Sequence, residues 1–142
     1  YTIHAGRSIP NIWSIGGFSL SENTAYACEP FVTTEQGGGF VRNGKIKNIF
    51  AINSRKKTKN EEADKLLNFI WENFNMLPFA LRWITKEWEE KKARELLDIL
   101  IKKKAVQAYP VLIEVNEQRV AQAEHTFIPM ESGVTVTTKA LA

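Results

Sequence analysis

The stretch of residues 120–128 carries one acidic residue, Glu124, among β-branched and small residues. It lacks helical periodicity and follows a predicted turn at residues 116–118, so we expect a strand. Side chains alternate between the faces of a strand, which places Glu124 on the same face as Gln122 and Thr126. Burying a lone charge is costly, so this carboxylate either lies in water on a half-exposed edge strand or points inward to a partner such as a metal ion.

A second short apolar stretch, residues 25–31, also has one acidic residue at its centre. Alternation places Glu29 on the same face as Ala27 and Phe31. Two strands that each present one inward carboxylate suit a cocatalytic metal site, because hard and borderline cations prefer oxygen ligands and a carboxylate can hold two ions together. The pair therefore favours the metal-binding interpretation of Glu124.

Five segments of the chain, in this order and spacing, resemble the type II methionine aminopeptidases in their archaeal form. They are IHAGRSIPN (3–11), CEPF (28–31), LPFALRW (77–83), AYPVL (108–112) and QAEHT (122–126). The resemblance extends along nearly all 142 residues but covers only the C-terminal half of such an enzyme. It implies that two aspartate ligands and one histidine ligand lie on a preceding N-terminal half, which we expect as a partner of this chain.

The resemblance also implies roles for individual residues. Two divalent ions, Mn, Co, Fe or Zn, would activate a water for attack on the first peptide carbonyl. Glu124 would bridge both ions, and Glu29 would bind one of them and help to move the proton of the water. His4 would donate a hydrogen bond to the reacting oxygen, although a lone histidine is more often a surface or structural residue. The substrate-binding residues implied by the resemblance are Ile3, His4, Pro78 and Tyr109.

Composition is that of an ordinary globular protein, with 44% hydrophobic and 25% charged residues. No apolar run approaches the ~20 residues that span a membrane, and no stretch resembles a signal peptide. Cys28 is the only cysteine, so an internal disulfide is excluded. These features predict a cytoplasmic location without membrane association.

The middle of the chain is predicted to form a hairpin followed by helices. Asn43-Gly44 is a strong turn signal for a hairpin over residues 42–52. Thr58, with Glu61 three residues on, forms a capping-box signal for a first helix, whose apolar positions recur at helical spacing. Pro78 suits the first turn of a short second helix ending at Trp83. The apolar positions of the first helix are Ala63, Leu66, Leu67, Ile70, Trp71 and Phe74.

A third helix over about residues 87–103 completes a small winged-helix-like unit, in which Trp88, Leu96, Leu97, Leu100 and Ile101 are expected to face inward. The resemblance implies an α+β fold, the C-terminal half of a pita-bread fold with this unit inserted. We therefore divide the chain into a first catalytic segment (1–43), the insert (44–112) and returning strands (113–142).

Basic residues are concentrated in the middle third. Residues 53–107 hold 13 Lys/Arg against 9 Asp/Glu, with runs at 55–57 and 102–104. Such runs could dock on ribosomal RNA. The simpler interpretation is a solvated surface, because acidic residues are interleaved and lysines near a helix C-terminus complement its dipole.

The sequence thus predicts part of a metalloaminopeptidase that removes N-terminal methionine from nascent polypeptides. The alternative is a non-catalytic relative of the same fold that acts as a ribosome- or RNA-binding adaptor, against which the retention of Glu29, Glu124 and His4 argues. A proline-specific dipeptidase of the same fold is a further alternative, disfavoured by the helical insert.

Overall fold

The computed structural model describes residues 15–17 and 19–139, which fall into two compact units. All three helices of the described residues lie in the first unit, and the second contains strands alone. The first, here the helical unit, comprises Arg42–Ile113. The second, here the ladder unit, comprises the described residues before Arg42 and after Ile113. The elements in chain order are β1 (Tyr26–Cys28), β2 (Phe31–Thr33), β3 (Val41–Ile52), α1 (Glu61–Phe74), β4 (Phe79–Ala80), α2 (Leu81–Ile84), α3 (Glu90–Lys102), β5 (Val106–Glu114), β6 (Val120–Gln122), β7 (His125–Met130) and β8 (Gly133–Val136).

The helical unit contains the hydrophobic core of the described chain. Its helices α1 and α3 each bury one apolar stripe, as the 3.6-residue spacing predicted. These stripes pack with the sheet β4-β3-β5. Stacked rings extend the core, with Phe79 5.8 Å from Phe50 and 5.4 Å from Phe74 between centroids. The buried residues of the two helices are Ala63, Leu66, Leu67, Ile70, Ala93, Leu96, Leu97 and Leu100.

The first helix begins later than predicted. Its N-cap is Asn60, whose side chain accepts a hydrogen bond from the backbone N–H of Ala63 at 2.9 Å. Thr58 is instead buried, and its hydroxyl bonds the carboxylate of Asp64 at 2.9 Å. The predicted Thr58–Glu61 capping box is therefore wrong, because an asparagine nearer the helix takes the cap and Thr58 supports the turn before it.

The second helix is also shorter than predicted. Pro78 does not lie in its first turn but directly before strand β4, and α2 begins only at Leu81. Phe79 and Ala80 are extended because they pair with Phe50 and Ile49 of β3. Tertiary pairing has overridden the local helix signal here.

The predicted hairpin turn at Asn43-Gly44 is wrong. β3 runs straight through both residues from Val41 to Ile52. A Cβ atom at Gly44 would lie 2.8 Å from the carbonyl oxygen of Val111 and 3.0 Å from a methyl carbon of Ile113. Gly44 is therefore suited to close approach of β5 to β3, not to a turn.

The ladder unit is built from short antiparallel strands. β7 lies between β1 and β8 in one sheet, and β2 pairs with β6 in another. Each of the two strands predicted around Glu29 and Glu124 is divided into two, β1 with β2 and β6 with β7. Glu29 lies in the gap between β1 and β2, and Glu124 lies in the gap between β6 and β7.

None of the helices in the described part of the chain has the length and apolar character that a membrane span requires.

Candidate metal-binding site

The pairing register places Glu29 opposite Glu124. Cys28 pairs with His125 on one side of the interruption, and Phe31 pairs with Gln122 on the other. Both strands advance three residues across the gap, so the register continues unchanged and Glu29 falls opposite Glu124. Directly opposed residues of antiparallel strands have Cβ atoms about 4.5–5.5 Å apart and point to the same face. The fold therefore brings the two predicted ligands together.

The ladder is interrupted here because of Pro30. Proline has no backbone N–H, so it cannot donate to the opposing strand. Its carbonyl still accepts a hydrogen bond from the N–H of Ala123 at 3.3 Å, which keeps the two chain segments in register. The carboxylates thus lie between two ladders that fix the flanking residues.

Both carboxylates are solvent-exposed in the structure of this chain. The expectation that they point into a protein interior is therefore not met within the described residues, because the face that bears them is open to solvent. Gln122 lies on the same face and donates from its Nε2 to Oε1 of Glu29 at 2.6 Å. Alternation along β6 could have suggested Gln122 as a neighbour of Glu29 once the register was known.

One buried acidic residue that the sequence did not single out anchors one end of this region. Glu114, at the end of β5, is only 3% exposed. Its Oε1 accepts from the backbone N–H groups of Gly38 at 2.5 Å and Gly39 at 3.2 Å. Its Oε2 accepts from Asn116 at 2.7 Å and Gln118 at 3.2 Å. This carboxylate ties the loop after β2 to the loop before β6.

The ionisation of Glu114 follows from these contacts. Burial works to raise its pKa, but the backbone N–H groups of Gln118, Asn116, Gly38 and Gly39 outweigh burial and hold the pKa below its usual range. An acidic residue before a turn is a common pattern, so nothing in the sequence distinguished this one.

The opposite end is held by two threonines that follow β8. The N–H of Thr137 donates to the carbonyl of Thr126 at 2.9 Å, and the N–H of Thr126 donates to the hydroxyl of Thr138 at 2.9 Å. That hydroxyl also lies 3.0 Å from Nδ1 of His125. The first two residues of β7, directly after Glu124, are thereby fixed.

The structure describes two of the other four predicted site residues. Ile3 and His4 lie outside the described residues. Pro78 and Tyr109 belong to the helical unit and are half-buried, and the hydroxyl of Tyr109 accepts from Nε2 of Gln107 at 2.5 Å. Across residues 15–17 and 19–139, no group of three or more His, Cys, Asp or Glu side chains could hold a metal ion.

The donor set nevertheless fits a divalent cation. Two like charges directly opposite each other destabilise a strand pair, and a cation between them converts the repulsion into attraction. Carboxylate oxygens suit hard and borderline divalent ions. Glu29 and Glu124 can therefore serve as part of a metal site, with further ligands required to complete it.

Comparison with known proteins shows what the chain is similar to. It is 38% identical over 144 residues to the methionine aminopeptidase of Saccharolobus solfataricus, a match that covers 99% of this chain and 47% of that protein. It is 37% identical over 139 residues to the methionine aminopeptidase of Methanocaldococcus jannaschii, covering 98% of this chain and 46% of that protein. The chain therefore spans about half the length of the curated relatives it matches.

A solved structure titled as a thermophilic Arx1, a protein of the pita-bread fold, is similar to 83% of this chain and 31% of its own, with a TM-score of 0.70 and 18% identity. At that identity the likeness concerns the fold alone. No protein-family model matches the chain. The sequence is therefore related, over nearly its whole length, to about one half of an archaeal methionine aminopeptidase, which is consistent with the predicted C-terminal half.

Proposed function

We propose that this chain forms part of a dinuclear metalloaminopeptidase that removes N-terminal methionine from nascent polypeptides in the cytoplasm. The observation that supports this most strongly is the register that sets Glu29 opposite Glu124 on one exposed face. The relatives bear the name of this activity. Two carboxylates are too few to hold two ions, so the proposal requires an upstream half that supplies the remaining ligands.

In the proposed site Glu124 and Glu29 would hold the divalent ions, which would supply Lewis-acid activation of water and of the substrate carbonyl when bound. Glu29 accepts the proton of the attacking water at a carboxylate oxygen and passes it towards the leaving amine. Gln122 orients Glu29 through its 2.6 Å hydrogen bond to Oε1, a contact that does not involve the second carboxylate oxygen.

Residues beyond the two carboxylates complete the proposal. In the proposed enzyme His4 would donate a hydrogen bond to the oxygen on which charge develops, and Ile3, Pro78 and Tyr109 would contribute to the substrate pocket, as the sequence resemblance implies. The helical unit is a winged-helix-like insert. Its three helices and three-stranded sheet support that assignment.

The test substitutes the proposed bridging ligand. In the chain assembled with its upstream half, Glu124→Gln should abolish hydrolysis of Met-Ala-Ser with Mn²⁺ or Co²⁺ and release at least one metal ion, because a neutral amide bridges two cations poorly. Elemental analysis of the purified protein measures the metal content. Glu131→Gln, at an exposed turn residue, makes the same change of charge and should leave both measurements unchanged. Two ions per molecule and normal peptidase activity in Glu124→Gln would reject the assignment.

A second substitution separates chemistry from metal binding. His4→Ala should keep the metal content while kcat falls by about 100-fold or more, the scale for loss of one hydrogen bond to the reacting oxygen. Loss of metal together with the fall in kcat would instead indicate that His4 is a metal ligand.

A further inference from the structure

Two threonines extend the hydrogen bonding of the β7–β8 ladder at the end away from its turn. β7 and β8 pair from Met130 opposite Gly133 to Phe127 opposite Val136. One step further in the same register, the N–H of Thr137 donates to the carbonyl of Thr126 at 2.9 Å, and the Thr137 hydroxyl donates to the same oxygen at 3.2 Å. The carbonyl of Thr126 is therefore held twice by one residue.

The N–H of Thr126 is held by a side chain. It donates to Oγ1 of Thr138 at 2.9 Å, in place of a backbone carbonyl. The same oxygen lies 3.0 Å from Nδ1 of His125. One hydroxyl group thus fixes both the backbone of Thr126 and the side chain of His125.

These two residues are the first that follow Glu124. β7 begins at His125, and Glu124 itself lies in the gap between β6 and β7. The direction of its carboxylate therefore depends on how firmly the beginning of β7 is held. On the other edge of β7, His125 and Thr126 pair with Cys28 and Ala27 of β1, which lead directly to Glu29.

We propose that Thr138 is a positioning residue for the metal ligand Glu124, acting through its hydroxyl on the first two residues of β7. The inference rests on the proposed function, since it assumes that Glu124 binds metal. Residues that orient a ligand from behind typically change metal affinity by about 10- to 100-fold when they are lost. A shift of about 1 Å in a catalytic group can also cost about 100-fold in rate.

The experiment removes the hydroxyl and keeps the shape of the side chain. Thr138→Val and Thr138→Ser are compared with the unsubstituted protein, each assembled with the upstream half, and Mn²⁺ affinity is measured by competition with a chelating dye. We expect Thr138→Val to bind Mn²⁺ about 10- to 100-fold more weakly and Thr138→Ser to bind as the unsubstituted protein does. Rescue by serine is the result that a general packing role of the side chain would not give, because serine lacks the methyl group.

Thr135→Val is the matched control. Thr135 is exposed in β8 opposite Ile128, away from the beginning of β7. Loss of its hydroxyl should leave Mn²⁺ affinity unchanged. If Thr138→Val fails to fold, as judged by circular dichroism, Thr138→Ala is compared with Thr138→Ser. Both variants lack the methyl group of threonine, and only the serine variant keeps the hydroxyl.

Glu124→Gln separates the two possible failures. If Glu124→Gln weakens Mn²⁺ binding but Thr138→Val and Thr138→Ala do not, the role of Thr138 is wrong while the metal site stands. If Glu124→Gln itself leaves Mn²⁺ affinity unchanged, the metal site is wrong, and the role of Thr138 fails with it. A loss in Thr138→Val that serine does not restore would also reject the hydroxyl as the cause.

Discussion

At the scale of single residues, the side chain of Gln122 restrains Glu29, one of the two proposed metal ligands. Its 2.6 Å bond to Oε1 of Glu29 takes up one carboxylate oxygen, which restricts the rotation of the group and fixes the direction of the other oxygen. Since outer hydrogen bonds of this kind stabilise the ligand geometry, we expect Gln122→Ala to weaken Mn²⁺ binding of the assembled protein by about tenfold. Titration of the metal with a competing dye measures the change.

Gln36→Ala provides the comparison for this prediction. Gln36 is an exposed glutamine in a turn, and its backbone carbonyl, not its side chain, accepts from Nδ2 of Asn116. Equal losses of Mn²⁺ affinity in both variants would show that Gln122 has no special role.

Glu114 carries a prediction on acid stability. Its lowered pKa means that the folded chain favours the ionised carboxylate more than the unfolded chain does. The resulting stabilisation is present above the ordinary carboxyl pKa of 4.5 and is lost as the pH falls through the lower folded value. Glu114→Gln should therefore lower the thermal midpoint at pH 7, because an amide N–H group would face backbone donors. The difference from the unsubstituted chain should shrink as the pH falls below the unfolded value.

Thermal unfolding followed by circular dichroism between pH 3 and pH 7 tests this prediction. Glu35→Gln, at an exposed residue in the neighbouring turn, removes the same charge without removing a buried acceptor. A Glu114→Gln difference that does not change with pH would contradict the linkage.

At the level of single elements, the core of the helical unit should behave as a packed interior. Leu100 in α3 is fully buried, whereas Leu112 in β5 is 58% exposed. Leu100→Ala should cost about 2–5 kcal/mol of unfolding free energy, because it removes buried methyl groups and leaves a cavity. Leu112→Ala should stay within about 0.5 kcal/mol. Urea unfolding followed by tryptophan fluorescence measures both, and similar losses would mean that Leu112 is covered in solution.

The basic segment before α1 has a separate prediction. Lys56, Lys57 and Lys59 are exposed, and the neighbouring Arg55 guanidinium lies 4.9 Å from the centroid of Trp71. If this segment docks on ribosomes, replacing the three lysines by glutamate should weaken co-sedimentation in a salt-dependent manner. Hydrolysis of short methionyl peptides should be unaffected. Unchanged co-sedimentation would support the interpretation that these lysines form a solvated surface, and this is the outcome that we expect.

The sequence predicted elements better than their ends. The spacing of apolar residues predicted the buried stripes of α1 and α3, and both stripes are buried in the structure. The absence of a turn at Asn43-Gly44 could not be predicted from neighbouring residues. The glycine allows the close approach of the carbonyl oxygen of Val111, which is distant along the chain. For the site, alternation gave the faces of Glu29 and Glu124, but their juxtaposition required the register. The role of Glu114 required the positions of four backbone N–H groups from two loops.

At the scale of the whole molecule, the two units differ in how many apolar residues they bury. All the buried apolar residues of the described chain lie in the helical unit. Large apolar side chains of the ladder strands are exposed instead, and exposed apolar patches mark surfaces that bind a partner. This agrees with the proposal that another polypeptide segment completes the site. The exposed side chains are Phe31, Val32, Val120, Met130 and Val134.

We therefore expect this chain alone to bind divalent metal weakly and to lack aminopeptidase activity. Glu29 and Glu124 supply two ligands, too few for two ions, and the described residues provide no third. Hydrolysis of Met-Ala-Ser with added Mn²⁺ or Co²⁺ measures the activity, and adding the upstream half as a separate polypeptide should restore it. Robust cleavage by these 142 residues alone would show that the assigned ligands are wrong.

The chain leaves the ladder unit and returns to it at neighbouring points. The carbonyl of Phe40 accepts from the N–H of Val115 at 3.0 Å, just outside the two crossings between the units. A segment whose two ends are already adjacent can be lengthened or shortened at little entropic cost. We therefore expect Glu29 and Glu124 to keep their register when the segment between Val41 and Glu114 is lengthened or shortened. A protein in which a short turn joins Val41 to Glu114 should accordingly still place Glu29 opposite Glu124.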